Sequence, residues 1–338
     1  MNLHAVWLNR RKWISVLALV FLLWAYVYQI KTGRSAGYDP SVSYAALAAM
    51  GNSSEGELAL LTYNVAGLPE IISAAESPRA QSMGEIGAKI NSFDIVNVQE
   101  DFHYHDALYD RGNTHPFRTL HKQALPYGDG LNTLSKYPIL FTKRIAWADC
   151  HGTDCLAAKG FSVSRIQLSK GITVDVYNVH ATSQDSPAAA LARRKNIKQL
   201  SAYIQTYSAQ QALLVMGDFN AHYAAAWDNL HQFVHSNKLH DAWIFTKRAG
   251  QLPGAVNDFV AQDKLSLTDS CESIDKILFR NSSYLEFTPR SYKIEKQHFS
   301  NRNGQSLSDH CAVSLSLKWK KITDSVLLDR PLAAFVEK

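Results

Sequence analysis

Residues able to bind cations, move protons or hold phosphate recur in this chain at the ends of apolar runs. Asn64 closes LALLTYN, Gln99 and Glu100 close DIVNVQE, and Asn178 and His180 close ITVDVYNVH. Asp218 and Asn220 follow LLVMG, Asp275 lies within SIDKIL, and Asp309 and His310 directly precede CAVSLSL. Glu100 is a hard oxygen donor suited to Mg2+, and Asp309 offers a second carboxylate for the same ion. Asn64 and Asn220 carry uncharged amides that can hold a phosphate oxygen or a water. His310 reads as a general base or as a donor to phosphoryl oxygens, with Asp275 fixing its tautomer and raising its basicity. Asp218 is the rival for activating water, and His180 suits donation to a non-bridging oxygen as charge develops. Together they describe in-line attack of water on phosphorus, with a cation offsetting oxygen charge as an alcohol leaves. Ser308 adjoins Asp309, but no G-x-S-x-G elbow surrounds it, which argues against an acyl-transfer triad.

Such residues need a scaffold of strands ending at one rim. Strand-like runs recur at 58–65, 94–99, 161–168, 172–179, 212–217, 273–280 and 311–319. Those at 161–168 and 172–179 are separated by Ser-Lys-Gly and read as a hairpin. A helix is predicted from Ala188 to about Tyr207, with Ser186 as cap and Pro187 at the first helical position. Its stripe of Ile197, Leu200, Ile204 and Tyr207 is expected to lie against a sheet. Strands with interspersed helices and a hairpin imply an α/β sandwich with mixed sheets. No GxGxxG or GxxxxGK[ST] motif is present.

The ordered segments LLTYNVAGLPE, IVNVQED, GDGLNTLSKYPI, VDVYNVH, LLVMGDFNAH, SIDKILF and LSDHCAV resemble the endonuclease/exonuclease/phosphatase superfamily, the DNase I-like fold. Within it, KGF at 159–161 and HATSQDS at 180–186 are similar, more loosely, to neutral sphingomyelinases and related phospholipase C-like members. The resemblance implies a four-layered α/β sandwich of two packed mixed sheets, and a requirement for Mg2+, or for Mn2+ or Ca2+. It matches Glu100 to the principal metal-binding glutamate and Asn64 to the asparagine supporting that end of the site. It matches Asp218 and Asn220 to the GDFN pair, His180 to the histidine after the preceding central strand, Asp309 and His310 to the terminal Asp-His pair, and Asp275 to the carboxylate that orients the last histidine. The expected substrate is a phosphodiester, foremost a phospholipid or sphingolipid headgroup. Nuclease or phosphomonoesterase activity, or an inactive binding module of the same fold, are the alternatives.

Charge bears on that choice. Arg10, Arg11, Lys12, Lys31 and Arg34 lie within residues 1–34, which hold no acid. Without those five, 30 basic residues face 30 acidic ones. A grip on a long polyanion usually needs a basic surplus. The basic cluster precedes the apolar run WISVLALVFLLWAYVY, so residues 1–12 read as a cytoplasmic tail and 13–30 as a transmembrane anchor or signal segment. Residues 31–57 read as a linker, 58–320 as the catalytic domain and 321–338 as a tail. The domain is therefore expected outside the cytoplasm, at a phospholipid membrane or secreted. Export permits a Cys150–Cys155 disulfide, and Cys271 with Cys311 is a second candidate pair. His103, His105, His115 and Lys136 read mainly as surface polar residues, and Trp147 and Trp243 mainly as core.

Overall fold

The computed structural model describes residues 16–23, 36–37, 47, 50–122 and 127–322. One sheet comprises β2 (Glu55–Asn64), β3 (Ile95–Gln99), β4 (Phe117–Arg118), β5 (Asn132–Ser135), β12 (Leu285–Ile294) and β13 (Val313–Lys321). Its order is β12-β13-β2-β3-β5-β4. The other comprises β1 (Ala36–Gly37), β6 (Ile139–Ala146), β7 (Gly160–Ser169), β8 (Ile172–His180), β9 (Leu213–Asp218), β10 (His240–Asp241) and β11 (Asp275–Arg280). It runs β1-β6-β7-β8-β9-β11-β10. Both sheets are mixed: β2–β3 and β8–β9 are parallel, and every other pairing is antiparallel.

Alternation along β2 explains the layering. Leu58 and Leu60 join Ile95 and the strands of the second sheet in one core. Leu61 and Tyr63 point the other way and pack with Val96, Val98 and, from helix α1 (Arg79–Lys89), Met83 and Ile86. Helix α2 (His105–Asp110) adds Leu108 to that outer core. Helix α3 (Pro187–Tyr207) begins where the sequence indicates: Ser186 caps it by accepting from the Ala189 amide. Its Ile197, Leu200 and Ile204 are buried against the second sheet, and Tyr207 packs half-buried beside them. Each buried aliphatic contributes roughly 1.5–3 kcal/mol, enough to seat the helix. Helices α4 (Leu230–Asn237) and α5 (Ala242–Lys247) complete the outer cover. The result is the four-layered sandwich that the resemblance implies.

Toward one rim the material between the sheets turns from apolar to polar. Asn97 donates to the carbonyls of Tyr177 (2.9 Å) and Met216 (3.3 Å). Gln99 donates to Asn178 Oδ1 (2.7 Å), and Asn178 donates back to the carbonyls of Val98 and Asn132, each at 3.0 Å. Gln99 and Asn178, strand-end residues in the sequence, thus clamp the sheets together.

The strand opening at Glu55 reaches into the expected linker, and Ala36–Gly37 pair with β6. Most of the expected anchor at 13–30 lies outside the described residues. Residues 16–23 are helical and exposed, and among the described residues no helix is long and apolar enough to cross a membrane. Cys150 and Cys155 form a disulfide, whereas Cys271 and Cys311 are free. The second candidate pair is therefore corrected: Cys311 is buried as an apolar side chain and Cys271 is only half-buried.

Candidate active site

Strand register builds the site. Asn64 is paired with Gln99 across the parallel β2–β3 ladder, which brings Glu100 alongside Asn64. In the other sheet His180 is paired with Asp218, and Asp218 in turn with Asp275. Three adjacent strands therefore present His, Asp and Asp side by side. The loop before β13 adds Asp309 and His310, held there by Ser308, whose hydroxyl donates to the Asn64 carbonyl (2.7 Å).

Close backbone approach fixes the two acid-bearing turns. Glu100 (φ 58°) and Asn220 (φ 48°) both occupy left-handed conformations, uncommon for residues with a side chain. The Glu100 carbonyl accepts from the amides of Gly67 and Phe102, each at 2.9 Å. A Cβ at Gly67 would stand 2.3 Å from that carbonyl oxygen, so glycine is required. Gly217, just before Asp218, likewise leaves no room for a Cβ against Val179.

All the side chains singled out from the sequence meet here. Asn64 Nδ2 donates to Glu100 Oε1 (3.1 Å) and Asp218 Oδ2 (3.2 Å), while its Oδ1 accepts from the Ala66 amide (3.1 Å). Asn64, expected from the sequence at the metal-binding end of the site, thus lies between the two acids, with its nitrogen orienting them. His180 Nε2 stands 3.8 Å from Glu100 Oε1 and 3.7 Å from Asp218 Oδ2. Asp218 Oδ1 accepts from the Asn220 amide (2.9 Å), and the Asn220 side chain donates to the Ala181 carbonyl (3.1 Å). His310 Nδ1 is 2.9 Å from Asp275 Oδ2, and its Nε2 is 3.8 Å from Asp218 Oδ2.

The electrostatics divide the two histidines. Burial drives the His180 pKa well below its ordinary value, with Lys159 and His310 adding to the effect. Burial opposes protonation of His310 as well, but the adjoining Asp275 and Asp218 carboxylates outweigh it and raise the pKa to about 9. Burial pushes Asp218 up, with His310 opposing. Burial also raises Glu100, and Asp309 adds to this against Lys159 and Asn64. Crowded, half-open carboxylates at Glu100 and Asp309 are the hard donor set that a small divalent cation fits. Asp218, Asp275 and His310 also cluster closely enough to ligate. Because Asp275 and Nδ1 of His310 already bond each other, that trio is better suited to holding a proton.

Two lysines were not assigned roles from the sequence. Lys264 Nζ stands 2.8 Å from His310 Nε2 and 3.6 Å from Asp309 Oδ2. When both nitrogens carry protons they repel, and an anionic oxygen between them would relieve this. Lys159, in KGF, pairs with Asp154 (2.7 Å), whose other oxygen takes the amide and hydroxyl of Ser183. Asp154 lies inside the Cys150–Cys155 loop, so the disulfide braces the segment after His180. Buried Arg193 braces it too, bonding Thr182, Gln184, Asp185 and Asp228. The lysine signals were present as KGF and as a cation in the loop before SIDKIL, but neither has a spacing that marks it.

A cavity of about 270 Å³ opens beside the site, lined by residues including Asp185, Asn220, His222, Lys264 and Glu272. A larger hollow of about 630 Å³ lies at the opposite end of β11 from Asp275, around Arg280, and touches none of these groups. Four further candidates have structural roles. His115 is buried against the Phe93 carbonyl (3.0 Å), Lys136 pairs with Asp94 (3.1 Å), and Trp243 is core. Trp147 packs half-buried on that core and donates to the His180 carbonyl (2.7 Å).

This rim and sandwich define a class, and the chain belongs to it: residues 80–253 match Endonuclease/Exonuclease/phosphatase family 2. Sphingomyelinases of Mycobacterium tuberculosis and Mycobacterium bovis are each 36% identical over 261 residues, covering 75% of this chain and 51% of theirs. The chain thus spans about half the length of the curated relatives it matches. Among solved structures, sphingomyelinase C from Streptomyces griseocarneus aligns at TM-score 0.53 and 20% identity, covering 77% of this chain and 99% of that one. A Staphylococcus aureus beta toxin with bound magnesium ions aligns at TM-score 0.53 and 15% identity, with the same coverages. Danio rerio TDP2 with a single-strand DNA product aligns at TM-score 0.56 and 14% identity, covering 78% and 99%. At these identities the structures share the fold.

Proposed function

We propose that this chain is a metal-dependent phosphodiesterase that hydrolyses phospholipid or sphingolipid headgroups, foremost sphingomyelin. The observation that carries the reading is the meeting of Glu100, His180, Asp218, Asp275 and His310 at one rim, with Asn64 bridging two of the acids. The lipid substrate draws its support from relatives named sphingomyelinase.

Glu100 and Asp309 would hold Mg2+, Mn2+ or Ca2+, which when bound supplies positive charge against the phosphate oxygens. Asp218, fixed by Asn64 and the Asn220 amide, orients the attacking water. His310, aligned by Asp275, exchanges a proton at Nε2 with the reacting oxygens. His180 and Lys264 face the same space and stabilise developing negative charge. The neighbouring cavity would take the headgroup. We also read the domain as acting outside the cytoplasm, anchored at a membrane or secreted. The Cys150–Cys155 disulfide supports this, since such bonds persist in oxidising compartments.

The test is hydrolysis of sphingomyelin, phosphatidylcholine, single- and double-stranded DNA and a generic bis-phosphodiester, with Mg2+ and with EDTA. Phosphocholine release that stops in EDTA is expected. Cleavage of DNA alone would remove the lipid assignment, and full activity in EDTA would remove the metal.

A further inference from the structure

One residue past Glu100 the chain gathers a second polar cluster. Asp101 is fully buried, and its Oδ2 accepts from Asn132 Nδ2 (2.7 Å) and the Tyr109 hydroxyl (3.0 Å). The same oxygen stands 2.8 Å from His105 Nδ1 and 4.0 Å from His121 Nδ1. Its other oxygen, Oδ1, is buried without a hydrogen-bond partner, and so is Nδ1 of His121. The two imidazoles lie face to face, with centroids 3.9 Å apart and planes 34° apart. A buried acid thus has one crowded and one unused oxygen, beside a ring nitrogen that nothing satisfies.

We propose that Asp101, His105 and His121 form a binding site for a divalent transition cation of the Zn2+ type, separate from the Glu100 site. One ligand atom from each lies within 4.8 Å of the other two. Zinc bonds of about 2.0–2.2 Å in a tetrahedron hold ligand atoms roughly 3.3–3.5 Å apart. The present separations of 2.8 and 4.0 Å straddle that spacing, so small opposite shifts of the two imidazoles, His105 outward and His121 inward, bring both to it. Two imidazoles with one carboxylate favour a transition metal over Mg2+, which prefers oxygen alone. Outer contacts hold the set in place: Asn132, which bonds Asp101, itself accepts from Arg144 Nη2 (2.8 Å) and the Thr119 hydroxyl (3.0 Å). The Arg144 charge, which would oppose a cation, is paired with Asp129 at 2.8 Å.

The cation would join three separate segments: the residue after Glu100, helix α2 and the stretch beyond β4. Its effect is therefore to stiffen the turn that carries Glu100. The ligands stand in loops and a short helix, Asp101 and His105 as D-x3-H and His121 sixteen residues further on, a spacing that no simple metal motif marks.

The experiment uses the full chain stripped by chelator, loaded with excess Mg2+ and titrated with Zn2+. Bound zinc is counted by elemental analysis after desalting, and thermal unfolding is followed with and without zinc. One tightly held zinc per chain is expected in the presence of Mg2+, unchanged in Glu100→Gln. Affinity should fall at least about tenfold in His105→Ala and in His121→Ala. Zinc should raise the unfolding midpoint of the parent and of Glu100→Gln, but not of the histidine variants. His121 is partly exposed, and circular dichroism verifies that its variant folds. No zinc retained by the parent, equal affinity in both histidine variants, or loss of zinc in Glu100→Gln would each overturn the site. None of these readouts depends on which phosphodiester is cleaved.

Discussion

His310 is held between two acids and a lysine, and each neighbour predicts a different shift. Asp275 and Asp218 raise its pKa against burial, and Lys264 lowers it. Asp275→Asn should therefore lower the pKa and cut kcat/KM by about 10–100-fold, as loss of an orienting partner does elsewhere. One limb of the pH–rate profile should move to lower pH. Movement of the rising limb identifies His310 as the base, and movement of the falling limb identifies it as a donor. Unmoved limbs would deny His310 either role. Lys264→Ala should shift the same limb upward and reduce kcat by about 10²-fold, the usual cost of one lost donor to a developing oxyanion. Lys264→Arg, which keeps the charge, should recover part of the loss. Steady-state kinetics across pH measures all three. The acids, asparagines and histidines were legible in the sequence because each lies in or beside an apolar strand-like run. Lys264 was not, because a loop cation acquires meaning only when folding brings it to His310, 46 positions away.

Helix α3 and the strands it spans were legible for a related reason: local periodicity and local capping residues specify them. Leu200→Ala should destabilise the domain by about 2–5 kcal/mol in urea unfolding, the range for a truncated core leucine. Ser186→Ala should cost about 1 kcal/mol through the lost cap. Leu200→Ala should leave kcat per folded molecule unchanged, since Leu200 packs in the core and not at the site. A Leu200 effect below 1 kcal/mol would mean that the helix is not seated as described. Helix α1 and strand β12 were harder to read. In RAQSMGEIGAK the buried face mixes Met83 and Ile86 with Arg79, Ser82 and two glycines, and Gly87 is there because a Cβ would stand 1.9 Å from the Leu108 carbonyl oxygen. Strand β12 contains Pro289, at a bulge against β13, which masks its pairing. The clamp of Asn97, Gln99 and Asn178 was invisible for a third reason. Its partners lie 46 to 119 positions away, so each residue looks like an ordinary strand amide.

Acid stability follows from groups buried across the fold. His222 has its pKa lowered from 6.5 to about 4, chiefly by burial and then by Lys276. Between those values the unfolded chain binds a proton that the folded chain does not, so stability falls as pH falls from 6.5 toward 4. His222→Gln removes this difference, and the parent should lose more stability than the variant over that interval in urea titrations at stepped pH. Equal losses would show that His222 titrates alike in the folded and unfolded chain.

Strand β13 lies between β12 and β2, so the latest-made strand of the first sheet sits beside the earliest. Asp309 and His310 come immediately before it. A chain emerging from a ribosome can thus complete helix α3 and both parallel ladders before Asp309 and His310 join the rim. On the proposed function, hydrolysis would begin only after β13 slides in between its neighbours, a long-range closure of the slow kind. Activity measured during refolding should then trail the recovery of helical signal, and the interval between them times that last insertion.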